Sequence, residues 1–387
     1  MGAPSINISF IEKAISVITR GERGIVMLWV KDTLPAPAIN PVTVITESDI
    51  PDSLKDSTAE QVKLAMIGYI NAPKKVLVYC MGIADDAEAA AVESGYKKAM
   101  AASETIKFDY LAAPTAETDN KAQDIATWVK TMRTVNKKKI KAVLPNTAAD
   151  NEGVINFTTT KSIKTESRNG KDGARETVDI EYTTEQYCAR IAGLIAGTPM
   201  TIACTYAPLP ELSDCTRLSD INTPVDKGKL IIYHDGEKVK VARGVNSFIT
   251  TIDGKVDSFK KIKIVEAMDM INDDIVKTAQ DSYLGKYPNS YSNKCLLISA
   301  ISAYFAQLKK DSIVSSYSVR LDAVAIRNYL KGKGLQATLD NGTGTVKEVD
   351  ECSDEEIITA DTGTLVFLTG NVKILDAIED ITMPIYI

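Results

Sequence analysis

The sequence predicts a mixed α/β fold, with a doubly wound sheet region, a C-terminal α/β domain and extended β arms at both ends. Between residues 75 and 145, short apolar runs alternate with helix-forming segments, and such runs are typical of strands covered on both faces. Of the 387 residues, 44% are apolar and 25% are charged, as in ordinary globular proteins. A chain of this length buries a sizeable core without disulfides or a metal.

The first part of the chain carries the regular alternation. Gly24–Val30 is a continuous apolar run and predicts a buried strand, whereas residues 32–57 are rich in proline and polar residues and predict loops and turns. Thr58–Tyr69 predicts a helix. The elements predicted next are a strand at Lys75–Met81, a helix at Ala84–Ala102, a strand at Ile106–Ala113, a helix at Asp119–Thr134 and a strand at Ile140–Pro145.

Hairpins and longer helices are predicted beyond residue 150. Strand-like runs at 154–165 and 176–183 flank the turn-forming segment 168–175 and indicate a hairpin with an exposed tip. The Asp235-Gly236 dipeptide predicts a second hairpin between residues 229–233 and 237–242. The remaining predicted elements are helices at 184–196, 258–281, 297–308 and 322–331, and strands at 364–375 and 380–387.

This pattern divides the chain into five segments. They are an N-terminal arm at 1–22, an α/β domain at 23–150, a hairpin-containing middle region at 151–228, a C-terminal domain at 229–375 and a C-terminal arm at 376–387.

Composition excludes several function classes. Acidic residues outnumber basic ones by 51 to 45, which argues against a general nucleic-acid binder. The single histidine, His234, flanks a predicted turn, so chemistry that needs several imidazoles is excluded. None of the six cysteines forms a C-x-x-C pair, and we predict reduced, mostly buried thiols. We find no signal-peptide pattern at the N-terminus and no apolar stretch long enough for a bilayer.

The region of alternating strands and helices lacks a nucleotide fingerprint. Gly82-Ile-Ala-Asp-Asp86 follows the strand at 75–81, so one glycine and two carboxylates stand where a phosphate would bind. We therefore predict no catalytic residue, no cofactor and no metal ligand. A nucleotide- or small-molecule-binding α/β enzyme without a recognisable fingerprint is the second hypothesis, and a monomeric binding module with a basic patch at 130–141 is the third.

Two charge clusters are both predicted to be solvated. The basic cluster is expected to be the exposed end of a helix, and consists of Lys130, Arg133, Lys137, Lys138, Lys139 and Lys141. In the acidic cluster, one side of the helix predicted at 258–281 carries Glu266, Asp269 and Asp273, and Asp274 follows them. These carboxylates could hold a divalent cation, but they lack the loop and glycine of an EF-hand, so an exposed acidic face is preferred.

The two chain ends have the half-apolar alternation of strands. Ile6, Ile8 and Phe10 alternate with polar residues near the start. The alternating residues at the other end are Ile381, Met383, Ile385 and Ile387. Pro384 cannot donate a ladder hydrogen bond, so that strand has an edge or a bulge. The ends could pair with each other inside one subunit, or add to the sheet of a neighbour; periodicity does not decide between these alternatives.

Several segments resemble the tail sheath protein family of contractile phage tails and phage-tail-like (R-type) bacteriocins. The resemblance extends from Ala242-Arg-Gly-Val-Asn-Ser-Phe248 to the end of the chain. The segments that carry it are 258–275, Tyr283-Leu-Gly-Lys-Tyr287 and 370–381. Pro4-Ser-Ile-Asn-Ile-Ser-Phe10 and Arg23-Gly-Ile-Val26 are similar to the start of sheath proteins from Gram-positive hosts.

The resemblance implies a structural subunit, and not an enzyme, that forms stacked hexameric rings around an inner tube. It implies that Ile6, Ile8 and Phe10, and the alternating residues at 381–387, lend strands to neighbouring subunits. The implied partners are further copies of the chain, the inner tail tube protein, and baseplate and tail terminator proteins, without direct nucleic-acid binding or membrane insertion. Assembly in the bacterial cytoplasm, release in a phage tail or bacteriocin particle, and contraction that drives the tube through a cell envelope are also implied.

The resemblance also implies a tube contact through a basic helix. The helix predicted at 322–331 is the nearest match, and it offers Arg327, Lys331 and Lys333. The alternative is a solvated helix end.

Overall fold

The structure is a computed structural model that describes residues 18–37, 39–169, 175–340 and 344–386. The mixed α/β prediction is confirmed. The described residues divide into a larger unit, 22–269 with the chain from Asp376 onward, and a smaller unit, 270–375 with the described residues up to Gly21. The division falls between Asp269 and Met270. The five predicted segments stay a prediction.

The strands and helices have the following bounds. The strands are β1 (Ile25–Val30), β2 (Val42–Val44), β3 (Lys75–Cys80), β4 (Tyr110–Ala112), β5 (Lys141–Pro145), β6 (Val154–Phe157), β7 (Lys161–Asn169), β8 (Arg175–Thr183), β9 (Asp214–Cys215), β10 (Lys229–Leu230), β11 (Ile232–His234), β12 (Val239–Val241), β13 (Val314–Leu321), β14 (Ala337–Thr338), β15 (Val346–Lys347) and β16 (Leu368–Ile374). The helices are α1 (Asp56–Met66), α2 (Ala89–Ser103), α3 (Ala122–Thr134), α4 (Thr184–Ala196), α5 (Asn222–Asp226), α6 (Ile262–Thr278), α7 (Tyr291–Lys310), α8 (Ala323–Lys333) and α9 (Asp354–Ile357).

The larger unit is built on a seven-stranded sheet with the order β10-β6-β5-β4-β1-β3-β2. Its pairs are parallel except for β2, which runs antiparallel to β3. All six residues of β1 are buried, because alternate side chains enter two different cores. Val26 and Leu28 face a core that α1 and α4 cover, whereas Met27 and Trp29 face a core that α2 and α3 cover. The predicted doubly wound arrangement is therefore confirmed. Strands and helices alternate along the chain, and helices cover both faces of the sheet.

The run at 154–165 contributes to two sheets. Its first part is β6, which joins the parallel sheet beside β5, and its second part begins the β7–β8 hairpin. The predicted hairpin is thus confirmed over β7 and β8, but not over residues 154–157. Residues 229–230 likewise join the large sheet as β10, and the predicted turn at His234 connects β11 to β12.

The smaller unit contains α7, α8, α9 and a two-stranded antiparallel sheet of β13 and β16. Its apolar core includes Leu321 at the end of β13 and Ile326 and Leu330 on α8. The sequence reasoning missed β13, because its interior is a mixture of serines, Tyr317 and Arg320 rather than an apolar run. Helix α8 continues past Lys331, the last residue of the predicted helix, to Lys333 and is capped by Gly334, whose φ of 64° is left-handed.

Candidate functional site

The C-terminal stretch from Ile381 to Tyr386 is exposed and forms no strand in the single chain. The predicted strand at 380–387 is therefore absent over its described residues. Ile381, Met383 and Ile385 are 83%, 71% and 73% exposed. Apolar side chains that alternate and remain in water are a strong sign of a surface that another chain covers.

Just before this stretch, three acidic residues fix the chain to the larger unit. The Lys261 ammonium pairs with Asp376 and Glu379, and the Thr205 hydroxyl donates to the Glu379 carboxylate. The Arg243 guanidinium lies 2.6 Å from the Asp380 carboxylate. The stretch is thus held at 376–380 and exposed beyond that point. We call residues 381–386 the free C-terminal segment.

The β13–β16 sheet offers a place where further strands could add. Each strand pairs only with the other among the described residues, so both outer edges lack a partner strand there. The two strands are aligned from Val314 opposite Ile374 to Leu321 opposite Leu368. They approach so closely that a Cβ on Gly370 would lie 2.3 Å from the Ser318 carbonyl oxygen. Unpaired backbone groups along long strands are a ready template for strand addition.

Of the seven residues predicted to exchange strands, Ile6, Ile8, Phe10 and Ile387 lie outside the described residues. The other three are the exposed apolar residues of the free C-terminal segment. Their participation in strand exchange stays a prediction.

The three cations of α8 differ in their surroundings. The Arg327 guanidinium donates to the carbonyl oxygens of Val349 and Cys352 and pairs with Asp354 at 2.9 Å. The Lys331 ammonium pairs with the exposed carboxylate of Asp350. Lys333 is exposed. Arg327 therefore holds the chain that follows α8, while the two lysines are accessible; the predicted tube contact stays a prediction.

A buried charge network lies at the amino ends of β1, β4 and β5, where α6 packs on the sheet. The Arg133 guanidinium forms two hydrogen bonds with the Asp269 carboxylate, at 2.9 and 3.0 Å. The Lys141 ammonium lies 3.0 Å from Asp269 and 2.7 Å from Glu266. Tyr110 donates its hydroxyl hydrogen to Glu266. Side-chain exposure is 1% for Lys141, 5% for Arg133 and 4% for Asp269. Because water scarcely reaches these groups, each charge is stabilised mainly by the opposite charges beside it.

The network continues at its two sides. Arg23 lies 3.4 Å from Glu266 and 3.6 Å from Asp109. Asp109 also accepts a hydrogen bond from the backbone of Ile25, at 2.9 Å. On the other side, Glu152 pairs with Lys255 at 3.1 Å and approaches Arg133 to 3.7 Å.

Attraction within the network shifts the pKa of its members. Burial would raise the pKa of Glu266 and Asp269, but the Lys141 ammonium, with Arg23 for Glu266 and Arg133 for Asp269, holds both below their usual values. Burial would lower the pKa of Lys141, and the same two carboxylates raise it instead. Asp109 differs, because burial outweighs its attraction to Arg23 and raises its pKa.

The network overturns the prediction that both charge clusters are solvated. Arg133 and Lys141 come from the basic cluster, and Glu266 and Asp269 from the acidic one, so half of the acidic cluster is buried against part of the basic one. Asp274 is also buried, and it accepts from Tyr304 at 2.7 Å in the smaller unit. Within the basic cluster, Lys137 and Lys138 are exposed, and Lys130 and Lys139 are partly buried.

Two signals in the sequence could have revealed this burial. Arg133 follows Val129 by one helical turn, so it lies on the apolar stripe of α3. Lys141 lies inside a run that predicts a strand covered on both faces, where an ammonium needs a buried carboxylate.

The described residues hold no group of three or more histidine, cysteine or acidic side chains that could bind a metal ion. Within the same ranges, no helix has the length and apolar character that a bilayer crossing requires. All six cysteines are free thiols, and Cys295 alone among them is not buried. Burial raises the pKa of Cys80 and Cys204 to about 12, so both stay protonated at neutral pH.

Sequence comparisons identify one family. A family model described as the phage tail sheath protein central domain matches residues 89–247, and one described as the phage tail sheath C-terminal domain matches residues 255–387. The tail sheath protein of Clostridium phage phiCD119 is 34% identical over 387 residues, which cover 99% of each chain. The phage-like element PBSX protein XkdK of Bacillus subtilis is 30% identical over 49% of this chain and 39% of its own length.

Solved structures show the same fold. A sheath tail protein from Desulfitobacterium hafniense superposes with a TM-score of 0.67 at 17% identity, covering 96% of this chain and 100% of that one. The sheath of an extracellular contractile injection system (PVC), in its contracted state, superposes with a TM-score of 0.60 at 13% identity, covering 100% of this chain and 98% of that one.

Proposed function

The chain belongs to the phage tail sheath protein family, and from this premise we propose that it polymerises as stacked hexameric rings around an inner tube. Contraction of this polymer then drives the tube through a target envelope. Its work is mechanical, so the chain acts as a structural subunit rather than an enzyme. The observation that carries the proposal is the free C-terminal segment, which presents alternating apolar residues to water.

Strand exchange is the proposed link between subunits. The free C-terminal segment of one subunit, and the residues around Ile6, Ile8 and Phe10 of another, would add to the β13–β16 sheet of a neighbour. Both edges of that sheet lack a partner strand among the described residues, and both strands are long enough to pair with such a segment. Main-chain hydrogen bonds then keep subunits connected while each one rotates as a rigid body.

The proposed partners follow from the same role. They are further copies of this chain, an inner tail tube protein, and baseplate and tail terminator proteins. In this proposal the baseplate and the tube hold the extended polymer. The extended state is metastable in this proposal, and contraction is downhill because new subunit contacts form. Assembly in the bacterial cytoplasm and release in a phage tail or bacteriocin particle complete the proposal.

Removal of residues 381–387 tests the link directly. The shortened subunit keeps the contacts of Asp376, Glu379 and Asp380, so we expect its free energy of unfolding to stay within about 0.5 kcal/mol of the full chain. Polymers should disappear from negative-stain electron micrographs and from sedimentation profiles, because the exchanged strand is gone.

A substitution pair provides the matched control. Replacement of Ile381, Met383 and Ile385 by serine removes the alternating apolar residues, whereas replacement of Thr382 and Tyr386 by serine changes the opposite set. We expect the triple variant to stay monomeric and the double variant to polymerise. Polymers of normal length from the shortened chain would refute the proposed link, and unfolding of that chain would show that the segment serves its own subunit.

The tube contact is proposed to involve the basic end of α8. Because Arg327 holds the backbone at Val349 and Cys352, the test is restricted to Lys331 and Lys333. Reversal of both charges to glutamate should leave self-assembly intact and reduce co-sedimentation with the tube protein at least about tenfold. Lys309 and Lys310, two exposed lysines at the end of α7, provide the control when changed to glutamate. Unchanged loading of the Lys331 and Lys333 variant would refute this contact.

A further inference from the structure

A cavity of about 510 Å³ opens on the smaller unit, and residues of α7, β13, α8 and α9 line it. Much of its wall is apolar. Ile298, Val319 and Ile358 are half-buried there, and Val324, on the first turn of α8, is 66% exposed. Apolar side chains that stay in water around a concave surface indicate that another molecule covers them.

The charged residues of this cavity are mainly acidic. Asp322, Asp354 and Glu355 line it, and Arg320 is the one cation among the described residues that do so. Asp354 pairs with Arg327 at 2.9 Å, and Asp322 caps the first turn of α8. Glu355 is exposed and forms no ion pair with a described residue. The cavity therefore combines an apolar wall with a negative rim that is only partly neutralised.

The larger unit has an exposed segment of the opposite charge. Residues 135–139, which we call the basic loop, follow α3 and read Val-Asn-Lys-Lys-Lys, and nowhere else in the sequence are three lysines consecutive. Val135 is 72% exposed. Lys137 is exposed and Lys139 is half-buried, and neither forms an ion pair with a described residue. The basic loop thus presents an apolar side chain beside uncompensated cations.

Hydrogen bonds fix the basic loop to the end of α3. The backbone N–H of Val135 donates to the carbonyl oxygen of Thr131 at 2.8 Å, and that of Lys138 donates to the carbonyl oxygen of Met132 at 2.9 Å. The Lys138 ammonium donates to the carbonyl oxygen of Glu104. A surface that is ordered before it binds loses little conformational entropy on docking.

We propose that the basic loop of one copy docks on the acidic cavity of a second copy. Val135 covers part of the apolar wall, and Lys137 and Lys139 offset the negative rim at Glu355. Because the loop and the cavity are different surfaces, the contact is head-to-tail and builds rings or filaments rather than a closed pair. The inference rests on the proposed assembly of copies, but it does not involve the free C-terminal segment.

Two charge-reversal variants of the full chain test the contact. The loop variant carries Lys137→Glu and Lys139→Glu, and the rim variant carries Glu355→Lys and a change of Glu351, an exposed residue four positions earlier, to lysine. Within either variant alone, loop and rim have the same sign of charge. In an equimolar mixture, each loop meets a rim of opposite sign on the other variant.

Sedimentation velocity at about 50 mM NaCl measures the association, and raising the salt to about 500 mM should weaken it in the natural chain because salt screens exposed charges. At low salt, we expect each variant alone to associate at least about tenfold more weakly than the natural chain, and the mixture to regain most of the loss. Recovery in the mixture also requires both variants to be folded, so it separates loss of contact from loss of structure.

The matched control carries Lys98→Glu and Lys107→Glu, which change two exposed lysines of the larger unit by the same charge. It should associate as the natural chain does. Three outcomes would overturn the proposal: a natural chain that stays monomeric at low salt, a mixture that associates no better than either variant alone, and a loss in the control equal to that in the loop variant.

The result is separable from the test of strand exchange, which uses the chain without residues 381–387. If that shortened chain lost its polymers while both charge variants associated normally, this contact would be refuted and the proposed sheath function would stand. If the charge variants behaved as expected and the shortened chain polymerised normally, strand exchange would be refuted and this contact would stand.

Discussion

Two sheets of the molecule, the seven-stranded sheet and the β13–β16 sheet, differ in the length of their edge strands. The seven-stranded sheet ends at β10, which has two residues, and at β2, which has three. The β13–β16 sheet consists of strands of eight and seven residues, and each has a partner on one side only among the described residues. Short edge strands are a common way to prevent association with another chain, and long open edges invite it. The first sheet is thus closed by short edge strands of its own subunit, and the second has the long edges that we propose for assembly.

The charged residues of the large sheet and of the chain end also differ in what they hold in place. At the closed sheet, four charged side chains of the network are buried against one another, and α6 is fixed to the amino ends of the strands. At the chain end, the acidic tether of Asp376, Glu379 and Asp380 stops where the apolar alternation begins. We therefore expect changes in the network to reduce stability, and changes in the free C-terminal segment to reduce assembly.

Asp269→Ala should give the largest loss of stability. The substitution removes the carboxylate that Arg133 and Lys141 share. Arg133 loses both of its hydrogen bonds to a carboxylate, and Lys141 retains Glu266 alone. We expect the free energy of unfolding to fall by about 3–5 kcal/mol, measured by urea denaturation. The control is Asp257→Ala, whose exposed carboxylate pairs with Lys260 and should be worth less than about 1 kcal/mol. Equal losses in the two variants would show that the network does not stabilise the closed region.

The pH dependence of unfolding provides a smaller effect. The pKa of Glu266 and of Asp269 is lower in the folded chain than their ordinary values of 4.5 and 3.8, so the folded chain binds fewer protons across that range. The two carboxylates contribute their whole stabilising free energy above pH 4.5. This contribution is lost as the pH falls through their lower pKa values in the folded chain. Asp109 has a raised pKa and offsets part of this loss.

We therefore expect the free energy of unfolding to fall by about 1–3 kcal/mol when the pH is lowered from 6 to 3. The urea concentration at the unfolding midpoint should fall with it. Asp269→Asn should show a weaker pH dependence than the natural chain, because one of the two shifted carboxyls is absent. Removal of residues 381–387 should leave the pH dependence unchanged. An unchanged slope in Asp269→Asn would show that other carboxyls are responsible.

His234→Ala should give the smallest effect. The Nδ1 atom of His234 accepts a hydrogen bond from the backbone of Gly236 at 3.0 Å, within a local turn. Loss of one such bond at a partly exposed site should change the free energy of unfolding by about 0.5 kcal/mol or less. Polymers seen by electron microscopy should be unaffected. A large loss of assembly would show that the β11–β12 hairpin takes part in contacts between subunits, in addition to the β13–β16 sheet.

Continuous apolar runs made the closed sheet predictable. β1, β3 and β5 were located within one or two residues, and Thr184–Ala196 was located to the residue as α4. The signals there are local, because a strand covered on both faces needs apolar residues at every position. β13 was missed for the opposite reason, since its exposed faces place serines and Arg320 between its apolar residues.

The buried network was less predictable, because a charge does not show its partner in a linear sequence. Arg133 and Asp269 are far apart in the chain, and each looked solvated beside charges of its own sign. The free C-terminal segment shows another limit. Alternation at Ile381, Met383 and Ile385 predicted a strand, but a strand needs a ladder partner, and none of the described strands pairs with it.

The acidic tether also has a mechanical consequence. Tension applied to the last residues of the chain enters the subunit at Asp380 and Glu379 before it can reach any strand of the large sheet. Glu379 passes the load to Thr205 and Lys261, and Lys261 directly precedes α6. A pull on the end of the chain is therefore shared by several polar contacts in parallel, and a single peptide segment does not bear it alone.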